Sequence, residues 1–219
     1  MKLIIFGFPG SGKGTYASRL SPKFGIAHIS TGDIFREAIK RKTAFGKIVQ
    51  KYISKGELVP DEITNEIFKK RIRRKDCRKG FILDGYPRTV SQVKELEKIA
   101  KINAIINLNV PDWIIIKRLT ARESCKKCGT IYNRLTLKPK KKGICDKCGG
   151  ELYQRKDDTP ALVKERLGLH KKQIGPLMKY YRKKKENIIY IRVDKLNVPP
   201  EVVIKKILNE LKPFQKNGF

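Results

Sequence analysis

Five short apolar runs recur along the chain, at residues 3–6, 27–30, 81–84, 104–108 and 188–193, each followed by turn or helix-start residues. Continuous apolar runs of this length fit strands buried on both faces of a parallel sheet. Between them lie segments with helical spacing. Residues 89–101 open on Thr89 as an N-cap and place Val93, Leu96 and Ala100 on one face. Pro111-Asp112-Trp113 starts a helix that continues through Ile116 and Leu119 to about 122. Thr159-Pro160 supplies an N-cap and first-turn pair for a long basic helix over 159–186. Val203, Ile207 and Leu211 give a last amphipathic helix over 200–211. Strands alternating with helices predict an α/β fold with a doubly wound parallel sheet flanked by helices.

Two segments break the alternation. Residues 31–60 read as two or three consecutive helices. Residues 123–157 are rich in Gly, Lys and Cys with little helical period, and read as a small separate insert.

Composition narrows the field. Of 219 residues, 51 are Lys or Arg and 21 are Asp or Glu, a formal net charge of +30. That favours polyanionic partners, whether nucleic acid, phosphorylated metabolites or an anionic membrane. The hydrophobic fraction of 40 % is enough for a core, which excludes wholesale disorder. No stretch approaches the roughly 18 apolar residues of a spanning helix. Pro9, Gly10 and Lys13 interrupt the first apolar run, so no signal peptide is expected. Five cysteines, four of them in two close pairs, point to metal binding in a reducing compartment.

The strongest motif is Gly7-Phe8-Pro9-Gly10-Ser11-Gly12-Lys13-Gly14-Thr15, a G-x-x-x-x-G-K phosphate loop between a buried strand and a helical pattern. Its glycines let backbone N–H groups converge on phosphate oxygens, and the helix N-terminus adds partial positive charge. Lys13 can then bridge terminal phosphates. Position 14 is Gly where the general pattern has Ser or Thr, and Thr15 follows. Asp84 closes a later buried strand and is the expected Mg²⁺ carboxylate, acting through water.

Cys125-Lys126-Lys127-Cys128-Gly129 and Cys145-Asp146-Lys147-Cys148-Gly149 form two C-x-x-C-G knuckles. Four thiolates close a tetrahedral shell, so Cys125, Cys128, Cys145 and Cys148 are expected to hold a structural Zn²⁺; a pair of disulfides is the alternative. Cys77 stands apart as an ordinary thiol.

The chain resembles the long form of the adenylate kinases, with a zinc-bearing lid. The matching motifs are Gly7 to Thr15, Ser30-Thr31-Gly32-Asp33 with Arg36, Gly56-Glu57-Leu58-Val59-Pro60-Asp61, and Asp84-Gly85-Tyr86-Pro87-Arg88-Thr89 with Gln92. Arg118 and Arg122, Arg155-Lys156-Asp157-Asp158, and Arg166 complete the match. The resemblance implies Mg²⁺-dependent, reversible phosphoryl transfer from ATP to AMP. It implies a P-loop core over 1–30, 60–122 and 158–219, an AMP-binding insert over 31–59 and a zinc-binding lid over 123–157.

By the same resemblance Gly10, Ser11, Gly12, Lys13, Gly14, Thr15, Arg118, Arg122, Ile131, Tyr132 and Asn197 contact ATP. Thr31, Arg36, Glu57, Leu58, Val59, Gly85, Tyr86, Pro87, Arg88, Gln92, Arg155 and Arg166 contact AMP. Lys13, Asp84, Arg88, Arg122, Arg155 and Arg166 carry the catalysis. Asn197 stands where many members have Lys or Gly beside the donor base. A cytoplasmic monomer is expected, with ATP, AMP and ADP as ligands, no membrane, and weak RNA association from the surplus charge. The alternatives are a broader nucleoside monophosphate kinase using GTP or other donors, and a basic P-loop and zinc-ribbon protein that binds RNA.

Overall fold

In a computed structural model, residues 1–54 and 57–215 are described. Gly56 of the Gly56–Asp61 motif and the last four residues of the expected 158–219 core segment lie outside them. Five strands, β1 (Lys2–Phe6), β2 (Ala27–Ser30), β3 (Phe81–Asp84), β4 (Ala104–Asn109) and β8 (Ile188–Arg192), form one parallel sheet in the order β2-β3-β1-β4-β8. They match the five apolar runs to within a residue at each end.

Helices cover both faces of the central strands, which is why β1, β3 and β4 are buried in continuous runs, while the edge strands β2 and β8 alternate between buried and more exposed positions. Leu3, Ile5, Ile106 and Ile191 face a core built with α1 (Lys13–Phe24), α6 (Asp112–Thr120) and α8 (Pro200–Gln215). Ile4, Phe6, Leu83 and Ile105 face a second core. That one is closed by α4 (Asp61–Ile72), α5 (Val90–Glu97) and the C-terminal half of α7 (Pro160–Lys183). The N-terminal half of α7 contributes Val163 and Leu167 to the first core, so this helix serves both.

Local signals explain most boundaries. The Thr89 hydroxyl accepts from the Gln92 N–H and starts α5 at Val90, and the helix ends at Glu97, short of the expected 101. Thr159 is extended at the head of α7, but its hydroxyl makes no cap bond; the helix start rests on Pro160. Helix α6 stops at Thr120, two residues early, because Arg122 opens the next strand.

The segment after β2 folds into α2 (Thr31–Lys40) and α3 (Ala44–Ile53), capped by Ser30 and Thr43. Residues 122–153 form a separate antiparallel sheet, with β5 (Arg122–Cys125) between β6 (Ile131–Asn133) and β7 (Leu152–Tyr153). No helix among the described residues is long and apolar enough to cross a membrane.

The packing of α2 on α3 hinges on Gly46. A Cβ there would lie 2.1 Å from the Ala38 carbonyl oxygen and 2.8 Å from the Ile39 nitrogen. Backbone cannot yield as a side-chain tip would. Gly46→Ala is expected to destabilise the helical insert by about 1–3 kcal/mol. Hydrogen exchange should accelerate across 31–53 and not in the sheet; protection unchanged over that segment would refute the close-approach argument.

Candidate functional site

Strand order reverses around β1, and ligands of open parallel sheets bind at the carboxyl ends beside such a switch. Both the phosphate loop after β1 and Asp84 at the end of β3 emerge there. The loop is shaped by positive φ at Gly10 (83°) and Gly12 (97°), a conformation that disfavours any side chain. Lys13 folds back over it, its ammonium donating to the Gly7 carbonyl at 2.6 Å and the Phe8 carbonyl at 2.9 Å.

The departure at position 14 has a structural reason. A Cβ on Gly14 would come within 3.3 Å of the Asp84 carboxylate, so glycine lets that carboxylate approach the helix start. The hydroxyl of the motif is carried by Thr15, which faces the cleft. On the far side of Asp84, His28 Nε2 stands 3.7 Å from Oδ2. Burial works to raise the Asp84 carboxyl; His28, Lys13 and Arg88 outweigh it and hold it below the usual carboxylate range.

Two cavities open here. The larger, of about 1170 Å³, is walled by the phosphate loop, α1, α6 and the small sheet. Seven cations, Lys13, Arg36, Arg88, Arg118, Arg122, Arg155 and Arg166, line it against two acids, Asp33 and Asp84. The smaller, of about 750 Å³, adds Glu57, Leu58, Pro87, His170 and Gln173. Pro9, Lys13, Gly85, Arg88 and Arg166 line both, so the cavities meet at one largely cationic wall.

The cations carry the mark of crowding. Burial, aided by Arg88, Arg166 and Arg122 and opposed by Asp84, brings the Lys13 ammonium down to about 8. Burial and the neighbouring Arg122 and Arg36 bring Arg155 down to about 10. Arg88 is still exposed to the open cleft, yet enclosure depresses it, with Arg166 and Arg36 adding to the effect against Asp84.

Polar partners in and around the cavity hold the arginines in place. Asp158, fully buried, takes both Arg122 Nε (2.8 Å) and Nη2 (2.6 Å), a bidentate clamp that fixes the guanidinium plane. Asp157 takes Arg166 at 2.6 Å, and the Ser124 hydroxyl takes Arg155 at 2.9 Å. Arg36 pairs with Asp33 one turn earlier on α2.

Not every expected contact residue reaches a cavity wall. The Ser11 side chain is fully buried under the loop with its hydroxyl unpartnered, and its N–H bonds the Phe8 carbonyl. Thr31 donates to the Gly85 carbonyl at 3.0 Å. Val59 is buried, and its carbonyl accepts from the Thr64 hydroxyl. The buried Tyr86 hydroxyl donates to Asn65 at 2.8 Å. Gln92 accepts from the Arg88 N–H at 2.7 Å and donates to Asp61 at 2.7 Å. These residues brace the wall from behind. Asn197 is exposed and its neighbours Val198 and Pro200 line the larger cavity instead. The remaining expected residues, Ile131 and Tyr132 included, do line a cavity.

Sequence reasoning passed over Tyr16, Asn133 and His170, which also line these cavities. The His170 ring packs on Phe8 with centroids 4.7 Å apart. Burial, with Lys13 and Arg88 nearby, pushes it down to about 3, so it stays neutral beside the cations.

The four knuckle cysteines converge. Their sulfurs lie within 4.8 Å of one another, with Cys125 to Cys148 at 3.5 Å and Cys128 to Cys145 at 3.6 Å. Tetrahedral Zn–S bonds of about 2.3 Å would space sulfurs about 3.8 Å apart, so the donor set fits such an ion. None of the four is in a disulfide. Burial alone would raise Cys145; the Tyr132 hydroxyl and the N–H groups of Lys147 and Cys148 reverse this and bring it to about 6. In this structure the two inserts touch, Lys40 Nζ on α2 donating to the Lys126 carbonyl at 3.3 Å.

A family model described as Adenylate kinase matches residues 5–186. A curated adenylate kinase of Caldicellulosiruptor saccharolyticus is 51 % identical over 189 residues, covering 84 % of this chain and 88 % of its own. One from Archaeoglobus fulgidus is 50 % identical, covering 84 % and 87 %. One from Thermosipho melanesiensis is 46 % identical over 214 residues, covering 95 % and 98 %.

The depressed Lys13 ammonium has a measurable consequence. A bound polyphosphate favours the charged form, so binding between pH 8 and the ordinary lysine value of 10.5 takes up a proton. Calorimetric titration with ATP in buffers of different ionisation enthalpy is expected to show uptake at about pH 9 and far less near pH 7.5. Affinity should fall as pH rises above 8, and Lys13→Arg should abolish the uptake. Equal proton exchange at both pH values would refute the shift.

Proposed function

Because the chain belongs to the adenylate kinase family, we propose that it transfers a phosphoryl group reversibly from ATP to AMP, giving two ADP. The observation that carries this is the shared wall. Two cavities, one reached by the phosphate loop and one floored by Glu57, Leu58 and Pro87, meet at Lys13, Arg88 and Arg166. A site for transfer between two phosphate-bearing substrates needs that geometry.

ATP would occupy the larger cavity, its phosphates on the loop from Gly10 to Thr15. AMP would occupy the smaller, its phosphate at Arg88 and Arg166, with Arg36 and Arg155 close by. An AMP phosphate oxygen attacks the γ-phosphorus, the bond to the β–γ bridging oxygen breaks, and its electron pair leaves with ADP. The acceptor phosphate is already ionised near neutral pH, so no strong general base is needed. Lys13, Arg88, Arg122, Arg155 and Arg166 neutralise charge on the transferring group. Arg122 and Arg166 do so from fixed orientations, because Asp158 and Asp157 hold them. Asp84, held ionised, fits the carboxylate expected to hold Mg²⁺ beside the loop; that ion would neutralise β- and γ-oxygens when bound.

The segments 31–59 and 123–157 act as covers that exclude water from the reacting group. The four-cysteine site holds structural Zn²⁺ and has no open position for chemistry. The enzyme works as a cytoplasmic monomer on free nucleotides.

A coupled assay of ADP formation tests the reaction. Lys13→Ala is expected to lower kcat by about 10²–10³-fold, the scale of losing one preorganised charge stabiliser. A nucleotide panel is expected to favour AMP as acceptor. UMP or CMP preferred over AMP, or undiminished turnover in the variant, would overturn the assignment.

Freshly purified protein is expected to carry zinc in proportion to chain. Stripping it should lower Tm by at least about 5 °C, while kcat measured well below the new Tm changes less than a few-fold. Absence of zinc on metal analysis would refute the structural site.

A further inference from the structure

We propose that the outer side of α7, with the edge strand β8 and the first turn of α6, binds single-stranded RNA at a surface separate from the nucleotide cleft.

Seven of the fifteen residues 171–185 are Lys or Arg, and none is Asp or Glu. The exposed positions of α7 in this stretch are 171, 172, 175, 176, 179, 182 and 183, a spacing that puts them on one side of the helix. Its other side, with Leu177, Met178 and Tyr181, closes the second core. Two of the cations are spent on carboxylates, Lys171 on Asp112 at 2.6 Å and Lys184 on Glu97 at 3.1 Å. Lys172, Lys179, Arg182, Lys183 and Lys185 have none at ion-pair distance among the described residues. None of these five lines either cavity, so phosphoryl transfer does not account for them.

An aromatic ring stands at each end of this strip. Trp113 and Tyr190 are the two most exposed aromatic side chains among the described residues, at 51 % and 52 %. Each has a cation at its ring: Lys117 Nζ lies 5.5 Å from the Trp113 centroid, and the Arg182 guanidinium 5.9 Å from that of Tyr190. Arg182 Nε also donates to the Tyr190 hydroxyl at 3.1 Å, fixing that end. At the other end the Lys171 bond to Asp112 ties α7 to the residue before Trp113. From 171 to 182 the helix rises about 16 Å. Ile189 and Ile191 turn into the first core, so Tyr190 and Arg192 turn to the opposite face of β8, beside their register partners Asn107 and Asn109.

Unpaired bases stack on aromatic side chains whatever their sequence, while a cationic track follows the backbone. A duplex hides the base faces that such rings would use. An anionic membrane fits less well, because the exposed face of α7 between the rings carries Gly175, Pro176 and cations, with no large apolar side chain to insert. The Asn107 and Asn109 carboxamides can bond a 2′-hydroxyl, which favours RNA over DNA.

Fluorescence anisotropy with a labelled oligouridylate of about 12 nucleotides tests this. Binding is expected with Kd of about 10⁻⁵ M or tighter at about 0.1 M KCl, and with a log–log salt slope near about −3, the release expected for about four phosphates on a single strand. Trp113→Ala and Tyr190→Ala should each weaken binding at least about fivefold without changing the slope. Lys179→Ala combined with Lys183→Ala should make the slope shallower by about 1.4. All variants should keep Tm within about 2 °C and ADP formation within about twofold. Saturating ATP and AMP should leave RNA binding intact. Displacement by ATP and AMP would place the RNA in the cleft and overturn the proposal. So would absence of binding, aromatic variants that bind as wild type does, or equal affinity for the oligodeoxyuridylate of the same length. Stronger retention on phosphatidylcholine vesicles with roughly one-fifth phosphatidylserine would overturn it in favour of a membrane. Should an aromatic variant lose Tm, the lysine double variant still decides, since an unchanged slope there sinks the idea.

Discussion

Like charge crowded into one cleft is the constraint around which this protein is arranged. Seven cations face a cavity that holds two carboxylates. Two like charges about 4 Å apart cost about 4 kcal/mol at an effective dielectric of about 20, so such a cluster must be held by force from outside. The structure supplies that force mostly from behind the walls, with Asp33 alone acting from the lining. Asp158 and Asp157 hold Arg122 and Arg166, Asp33 holds Arg36, and the Gly7 and Phe8 carbonyls hold Lys13. Burial, with the like-charged neighbours adding to it, depresses the basicity of Lys13, Arg155 and Arg88. A bound polyphosphate would offset this positive charge.

The same constraint explains the braces that look like ligand contacts in sequence. Gln92 and Tyr86 belong to the motif that follows Asp84, yet their polar atoms are spent on Asp61, the Arg88 backbone and Asn65. They fix the wall from which Arg88 projects. Ser11 is a similar case: it lies inside the phosphate loop, and its side chain faces inward beneath Gly7.

What the chain discloses by pattern is what depends on local periodicity. The three central strands are readable because burial on both faces leaves runs such as Leu-Ile-Ile-Phe without polar interruption, and the edge strands β2 and β8 by their apolar residues at alternate positions. Lys13 and the four cysteines are readable because their chemistry demands fixed spacing along the backbone. Asp158 holding Arg122 is not readable, since its partner is 36 residues away and nothing in the spacing joins them. Tyr16 was hidden for another reason. In an amphipathic helix it counts as a core aromatic, and only its place against Gly12 sets its oxygen beside the nucleotide cleft. Helix ends depart from the sequence pattern where a neighbouring strand or turn takes over, as at Thr120 and Glu97.

The cysteine cluster answers a different shortage. The small sheet's own apolar cluster comprises Cys125, Tyr132, Cys145 and Leu152, with Cys148 packed against it. A unit of that size buries too little to order itself, and small folds of this kind need a metal or a crosslink. Two of its four buried members also belong to the four-cysteine cluster, so the candidate metal site and the core are the same object. That matters for a cover. Lys40 reaches the Lys126 carbonyl, the residue next to donor Cys125, when the two inserts meet. With a metal bound, the four sulfurs would hold that carbonyl in place, and the flexible Lys40 side chain would supply the adjustment between the two inserts.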